Sequence, residues 1–171
     1  MTAPLITTDD LGDTSDDAVL ACVLASGIIR SHCGWHIAPS AVETFTLDGP
    51  GTRTLAIPTL HLTAVASVEI DSVTELDFTW SARGLIRRAL AAAWPSTFRS
   101  IEVTCTHGHA TTPDAVRAVA ISICRRQLAN PEQLRQEAVA GYSVTYGGDA
   151  AAALTSAERN ILAVWRIPGS P

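Results

Sequence analysis

The sequence predicts an α+β protein, a small helical bundle of one N-terminal helix and several C-terminal helices with an inserted antiparallel β-sheet. Three observations carry this prediction. Apolar residues recur at helical spacing from Val19 to Ile28, hydrophobicity alternates with a period of two from about residue 41 to 109, and helical spacing returns from Pro113. The 171 residues are expected to form a single domain, with 1–39 and 110–171 as a helical scaffold and 40–109 as the inserted β subdomain.

The first helix has Thr14 or Ser15 as its cap, and Asp16 and Asp17 suit the positive end of the helix dipole. Val19, Leu20, Val23, Leu24 and Ile28 form the stripe expected to face the core, and Gly34 is placed to stop the helix. Phe45 and Leu47 then alternate with Thr44 and Thr46, and "DGPG" (48–51) is expected to turn the chain into a strand carrying Leu55 and Ile57. "VASVEID" (65–71) and "ELDFTW" (75–80) read as a second strand pair, with Leu76, Phe78 and Trp80 on one face. "GLIRRAL" (84–90) suits either element and is read as a strand. "SIEVTCTHG" (100–108) alternates cleanly, Ile101, Val103 and Cys105 against Glu102, Thr104 and Thr106.

Thr112 and Pro113 open the next helix, whose face is Val116, Val119, Ala120, Ile123, Gln127 and Leu128. "ANPEQLRQEAVAG" (129–141) reads as a break followed by a short helix, and "YSVTYGG" (142–148) as an extended arm or turn. Thr155 and Glu158 form a capping-box pair for the last helix, with Ala157, Ile161, Val164 and Trp165 as its expected apolar face and Pro168 closing it.

Composition narrows the function. The chain is 47% apolar and 17% charged, which speaks against wholesale disorder. No apolar run is long enough for a membrane span, and the acidic start lacks the form of a signal peptide, so a soluble protein made in the cytoplasm is expected. A net charge of -5 argues against tight binding to a phosphate backbone. All 12 basic residues are arginine, which excludes a P-loop and a lysine-dependent mechanism. The four cysteines, Cys22, Cys33, Cys105 and Cys124, have no C-x-x-C spacing and suggest no disulfide framework.

"CTHGH" (105–109) is the stretch richest in chemical groups. In an extended chain Cys105, His107 and His109 point the same way, as ligands of a small zinc-dependent hydrolase would. Zinc requires further converging donors, and those on offer, His32, Cys33 and His36, lie at the end of the first helix. The simpler reading makes Cys105 the last core residue of a strand and Gly108 the turn out of it. No G-x-S-x-G elbow is present. The acidic cluster Asp9, Asp10, Asp13, Asp16 and Asp17 lacks the glycine and terminal glutamate of a calcium loop and is read as a solvated, flexible N-terminus. Arg87–Arg88 and Arg125–Arg126 are pairs rather than a basic stripe, against a DNA-binding regulator. Trp165, Arg166 and Ile167, an aromatic beside an arginine ahead of the Pro-Gly-Ser-Pro tail, have the composition of a partner anchor.

Several segments in order carry a resemblance: "CGWHIAP", "ETFTLDGPGTRTLAIP", "VASVEID", "GLIRRALAAAWP", "VTCTHGHATTPDAVRAVAISICRRQL", "GYSVTYGG" and "LTSAERNILAVWRIP". Together they span roughly residues 14 to 168, and the sequence resembles the head-to-tail adaptor, or connector, proteins of tailed bacteriophages. The strongest element is Thr106-His107-Gly108 followed by "PDAV" and a long helix. Related chains often carry an aromatic at the places of Cys105 and His109, which marks these as packing positions.

The resemblance implies a structural protein of the virion neck with no cofactor and no catalytic residues. It implies a homo-oligomeric ring, normally twelvefold, beneath the portal protein, with a platform for the stopper or tail-completion protein. Genomic DNA is expected to pass through the lumen without sequence-specific binding, and no membrane is involved. The helices are expected to form the ring wall, and the C-terminal segment to reach towards the portal.

Overall fold

The computed structural model describes residues 3–89, 92–129, 136–139, 142–145 and 154–168. In chain order, α1 (Thr8–Leu11) and α2 (Asp16–Cys33) precede β1 (Ala41–Leu47), β2 (Thr54–Ala56), β3 (Leu62–Ile70), β4 (Val73–Thr74), β5 (Phe78–Ser81), β6 (Leu85–Arg88) and β7 (Ile101–His107). α3 (Asp114–Ala129), β8 (Gln136–Val139), β9 (Tyr142–Thr145) and α4 (Ser156–Leu162) follow, and a 3-10 turn over Ala163–Trp165 extends α4. This is the α+β composition the sequence predicts. Two compact units emerge, Met1–Cys33 with Thr112–Arg166, and Gly34–Thr111 with Ile167–Gly169. Among the described residues no helix is long and apolar enough to cross a membrane.

In the helical unit, Ser15 caps α2 by accepting the Ala18 amide at 3.2 Å, and Gly34, at φ +77°, ends it. The face that α2 buries is not the expected one. Ala18, Ala21, Cys22, Ala25, Ser26, Ile29 and Cys33 are buried, whereas Val19, Leu20, Val23 and Leu24 are about half exposed, at 50, 57, 53 and 48%. Small side chains let α2 and α3 approach closely, and Cys22 meets Cys124 of α3 there. Because α2 is apolar all round, periodicity alone offers two candidate faces, and the larger residues lost to the better fit.

α3 buries Val116, Val119, Ala120, Ile123 and Cys124, largely the predicted face. Thr112 donates to the Leu5 carbonyl at 2.5 Å, tethering the N-terminal segment to the start of α3. That segment is anchored, contrary to the flexible start expected: Leu5 and Ile6 are buried, the Leu5 amide donates to Ser26 Oγ at 2.8 Å, and Arg117 pairs with Asp10. The short helix expected before residue 141 is instead β8, paired antiparallel with β9. β9 supplies the backbone hydrogen-bond partners of this stretch. Residues 130–135 and 140–141, the rest of the segment expected to hold a break and that helix, lie outside the described residues.

In the β unit, β1-β7-β3-β4 form one sheet and β2-β6-β5 another. Leu55 and Ile86 from the second sheet join Leu62, Val68, Ile101, Val103 and Cys105 from the first, with Ile57 and Trp94, in one core. The strands largely match those expected, but their neighbours do not. β1 pairs with β7 rather than across "DGPG" with β2, whose partner is β6. Gly49 and Gly51 donate their amides to Thr97 and Pro95 carbonyls, so the loop is held by a distant segment. β3 turns tightly into β4 through Asp71 and Ser72, both at positive φ as a type I′ hairpin requires, and β5 then leaves for the second sheet. Alternation reports which face of a strand is buried and says nothing of which strand lies beside it.

Candidate functional site

β7 delivers "CTHGH" in two parts. Ile101, Val103, Cys105 and His107 all point inward and are buried, as a period of two demands. Gly108 then takes φ +93°, and His109 leaves the strand direction. The strand end is clamped by its neighbours. The Gly108 amide donates to the His61 carbonyl at 2.8 Å, the His109 amide to the Ile37 carbonyl at 2.7 Å, and His61 Nδ1 donates to the Gly108 carbonyl at 3.1 Å.

Four imidazoles gather here. The His61 and His109 rings stack at 3.9 Å with 31° between planes, and Trp35 lies 6.2 Å from His109. The His36 ring is 5.4 Å from that of His107, and its Nε2 donates to the Pro39 carbonyl. His107 Nε2 donates to Glu43 at 2.9 Å, while its buried Nδ1 has no partner among the described residues. His36 and His61 are members that sequence reasoning did not assign to this place. His36 belongs to the donors at the end of the first helix, and no pattern in the sequence marks His61.

The arrangement does not make the zinc site that the hydrolase alternative requires. Cys105 is sunk in the apolar core, where burial and then the Glu43 charge push its thiol up to about 11. His107 is engaged by Glu43, and His109 is stacked on His61 beyond the turn. Among the described residues no group of three or more His, Cys, Asp or Glu is placed to hold a metal ion. Burial, with the neighbouring His61 adding to it, pushes His109 below its ordinary range, so it is neutral at pH 7. Thiolate chemistry is likewise disfavoured, because all four cysteines are buried and burial raises Cys33 to about 11 and Cys124 to about 12. The cluster packs a strand end against a loop.

The predicted anchor residues lie at the end of the last helix. Trp165 and Ile167 are partly buried and Arg166 is exposed. α4 starts with the expected capping box, Thr155 accepting the Glu158 amide at 3.2 Å and Glu158 accepting the Thr155 amide at 2.9 Å. Its packing face is again a correction. Glu158 and Leu162 are buried, while Ala157, Ile161 and Val164 are exposed. α2 and α4 thus both leave apolar side chains on the surface of the helical unit. The sequence contained these residues in plain view, but as presumed core.

No protein-family model and no curated protein matches the chain. Solved structures do. The chain is similar over 100% of its length, and 100% of the other chain, to a chain in the neck of a native GTA particle computed with C12 symmetry, at 14% identity and a TM-score of 0.58. A chain in the neck of an empty GTA particle computed with C6 symmetry matches over 92% of this chain and 84% of that one, at 15% identity and a TM-score of 0.51. A chain in the virion of a native gene transfer agent particle matches over 95% and 90%, at 17% identity and a TM-score of 0.51. At such identities the likeness is one of fold, and this protein has the fold of a chain found in the neck of gene transfer agent particles.

Proposed function

We propose that the protein is a structural head-to-tail adaptor of a tailed phage or phage-like particle. It forms a ring of about twelve copies beneath the portal, extends the DNA channel and joins the capsid to the stopper or tail. The observation that carries this reading is the likeness over the full length of both chains to a chain of a neck computed with C12 symmetry. Ordered resemblance along the sequence and a cysteine and histidine chemistry given over to packing support a role that is not enzymatic. Trp165, Arg166 and Ile167 are the residues assigned to the portal contact.

Such a ring surrounds DNA without gripping it. At -5 per chain, twelve copies carry roughly -60 formal charges, a field that repels the phosphate backbone. Deleting the gene in a particle-producing host tests the role. DNA-filled heads without tails are expected, and particles with normal tails would refute it.

A further inference from the structure

In the β unit, the loop over 95–100 holds an aromatic side chain out into solvent on a fixed backbone. Phe98 at its tip is 87% exposed. The Gly51 amide donates to the Pro95 carbonyl at 2.9 Å and the Gly49 amide to the Thr97 carbonyl at 2.8 Å. Beyond the tip, the Arg99 amide donates to Asp48 Oδ1 at 2.8 Å, and the Ser100 carbonyl accepts the Asp71 amide at 2.9 Å. Arg99 stands at φ +53°, a conformation that a residue with a side chain keeps only where its surroundings impose it. Phe98 therefore loses little backbone freedom on meeting a partner, as a preorganised anchor should. The same unit carries a cleft of about 380 Å³, with Ile70, Val73, Ala93 and Pro95 as apolar lining and Glu75 and Arg88 as polar lining. Arg88 pairs with Glu75, donates to the Ala93 carbonyl at 2.8 Å and lies over the Trp94 ring, so the polar wall is fixed and satisfied from within. Such a cleft is preformed and accepts apolar surface. Phe98 does not line it, although Pro95 of the same loop does.

We propose that Phe98 of one copy of this chain enters this cleft on the next copy. The proposal rests on the ring reading above and names a knob and a socket that join successive copies. Size fits: an aromatic side chain buries about 150–250 Å², and Phe98 has nearly all of its own surface to bury. Charge selects the occupant. Exposed Arg99 follows Phe98 on the knob. At the socket, exposed Asp71 follows Ile70 in the β3–β4 turn, and exposed Asp77 donates its amide to Glu75 at 3.1 Å, so two carboxylates border the lining. A knob with a cation beside it thus meets an apolar socket with acids at its rim. Knob and socket are different surfaces of one chain, which is what a heterologous, ring-closing contact needs. One aromatic anchor buries far less than the roughly 1,200 Å² of a stable complex. The contact is accordingly weak for a free pair and gains its strength around a closed ring.

Sedimentation velocity up to millimolar concentration tests the contact. Phe98→Ala removes the knob and Val73→Arg obstructs the socket; both side chains are exposed, so both variants should melt like wild type. Wild-type protein is expected to grow beyond dimers, and each variant alone to associate at least tenfold more weakly. An equimolar mixture of the two should stop at heterodimers, through the one intact knob and the one intact socket. Wild-type protein that stays monomeric or stops at a dimer, a variant that assembles like wild type, or a mixture that stays monomeric overturns the proposal. So does a variant that cannot fold, since its side chain would then be part of the core. Tail loss on gene deletion combined with assembly that ignores both substitutions sinks this contact and leaves the neck role standing. Assembly through this contact with normal tails after deletion does the reverse.

Discussion

Arg126 on α3 holds both carboxylate oxygens of Glu158 on α4, Nη1 at 2.5 Å from Oε1 and Nη2 at 3.0 Å from Oε2. Glu158 is only 6% exposed and also accepts the Thr155 amide, so the same carboxylate caps α4 and docks it. Seven residues make a helix too short to persist without such a tie. Arg126→Ala is expected to destabilise the protein by about 2–3 kcal/mol, less than a fully buried pair would lose because Arg126 is 32% exposed. Hydrogen exchange should show residues 156–162 losing protection before α2 and α3. Unchanged protection there would show the pair to be dispensable.

Acid should weaken the protein in two stages. Burial favours the protonated form of Glu158, but hydrogen bonds from Arg126, the Thr155 amide and Ser122 outweigh it and hold the carboxyl at about 2. A depressed carboxyl stabilises the fold above its ordinary 4.5, and that contribution, roughly 3 kcal/mol at most, drains away as pH falls from 4.5 towards 2. His109 and His32 are also depressed, mainly by burial, so the unfolded chain takes up protons first and stability begins to fall below pH 6.5. Melting temperature against pH should show both stages. In Glu158→Gln the lower stage should shrink to what Asp10 and Asp13, also held low by hydrogen bonds, contribute.

Gly108→Ala should cost about 1–3 kcal/mol in urea denaturation. Its φ of +93° is strained for any side chain, and a Cβ would stand 3.0 Å from His36 Cδ2 and 3.2 Å from the Ile37 and Pro39 carbonyls. Gly27→Ala is the contrast, in the interior of α2 with nothing within 4 Å of the new methyl, and should stabilise by about 0.5–1 kcal/mol. Equal effects at the two positions would contradict the packing described for the loop.

Trp165→Ala separates anchoring from folding. A partly buried indole at the end of α4 should cost about 1–2 kcal/mol of stability when truncated. If the residue anchors the chain to portal-bearing heads, attachment should fall at least tenfold. Measured together, a loss of stability with undiminished attachment would make Trp165 a packing residue only.

Residue patterns alone were enough for the kind of element along most of the chain. The alternation of Ile101, Val103 and Cys105 identified β7 and its inward face, and Thr155 with Glu158 located the start of α4. These features are legible because they depend on neighbours a few residues away, through backbone geometry and capping. Even the correct suspicion that "CTHGH" is a strand end packing into a turn needed only the alternation and Gly108.

What the tertiary structure decided was every choice between equivalent local options. α2 has two apolar faces at the same period, and only the fit against α3 and the anchored Leu5 and Ile6 selected the small-residue face for burial. α4 likewise turned Leu162 inward and left Ile161 and Val164 outside once Arg126 had claimed Glu158. Strand partners, and the meeting of His36 and His61 with "HGH", join residues tens of positions apart. The reason is physical. Periodicity records the backbone's own repeat, whereas pairing and burial are settled by the close packing of surfaces that no single segment contains.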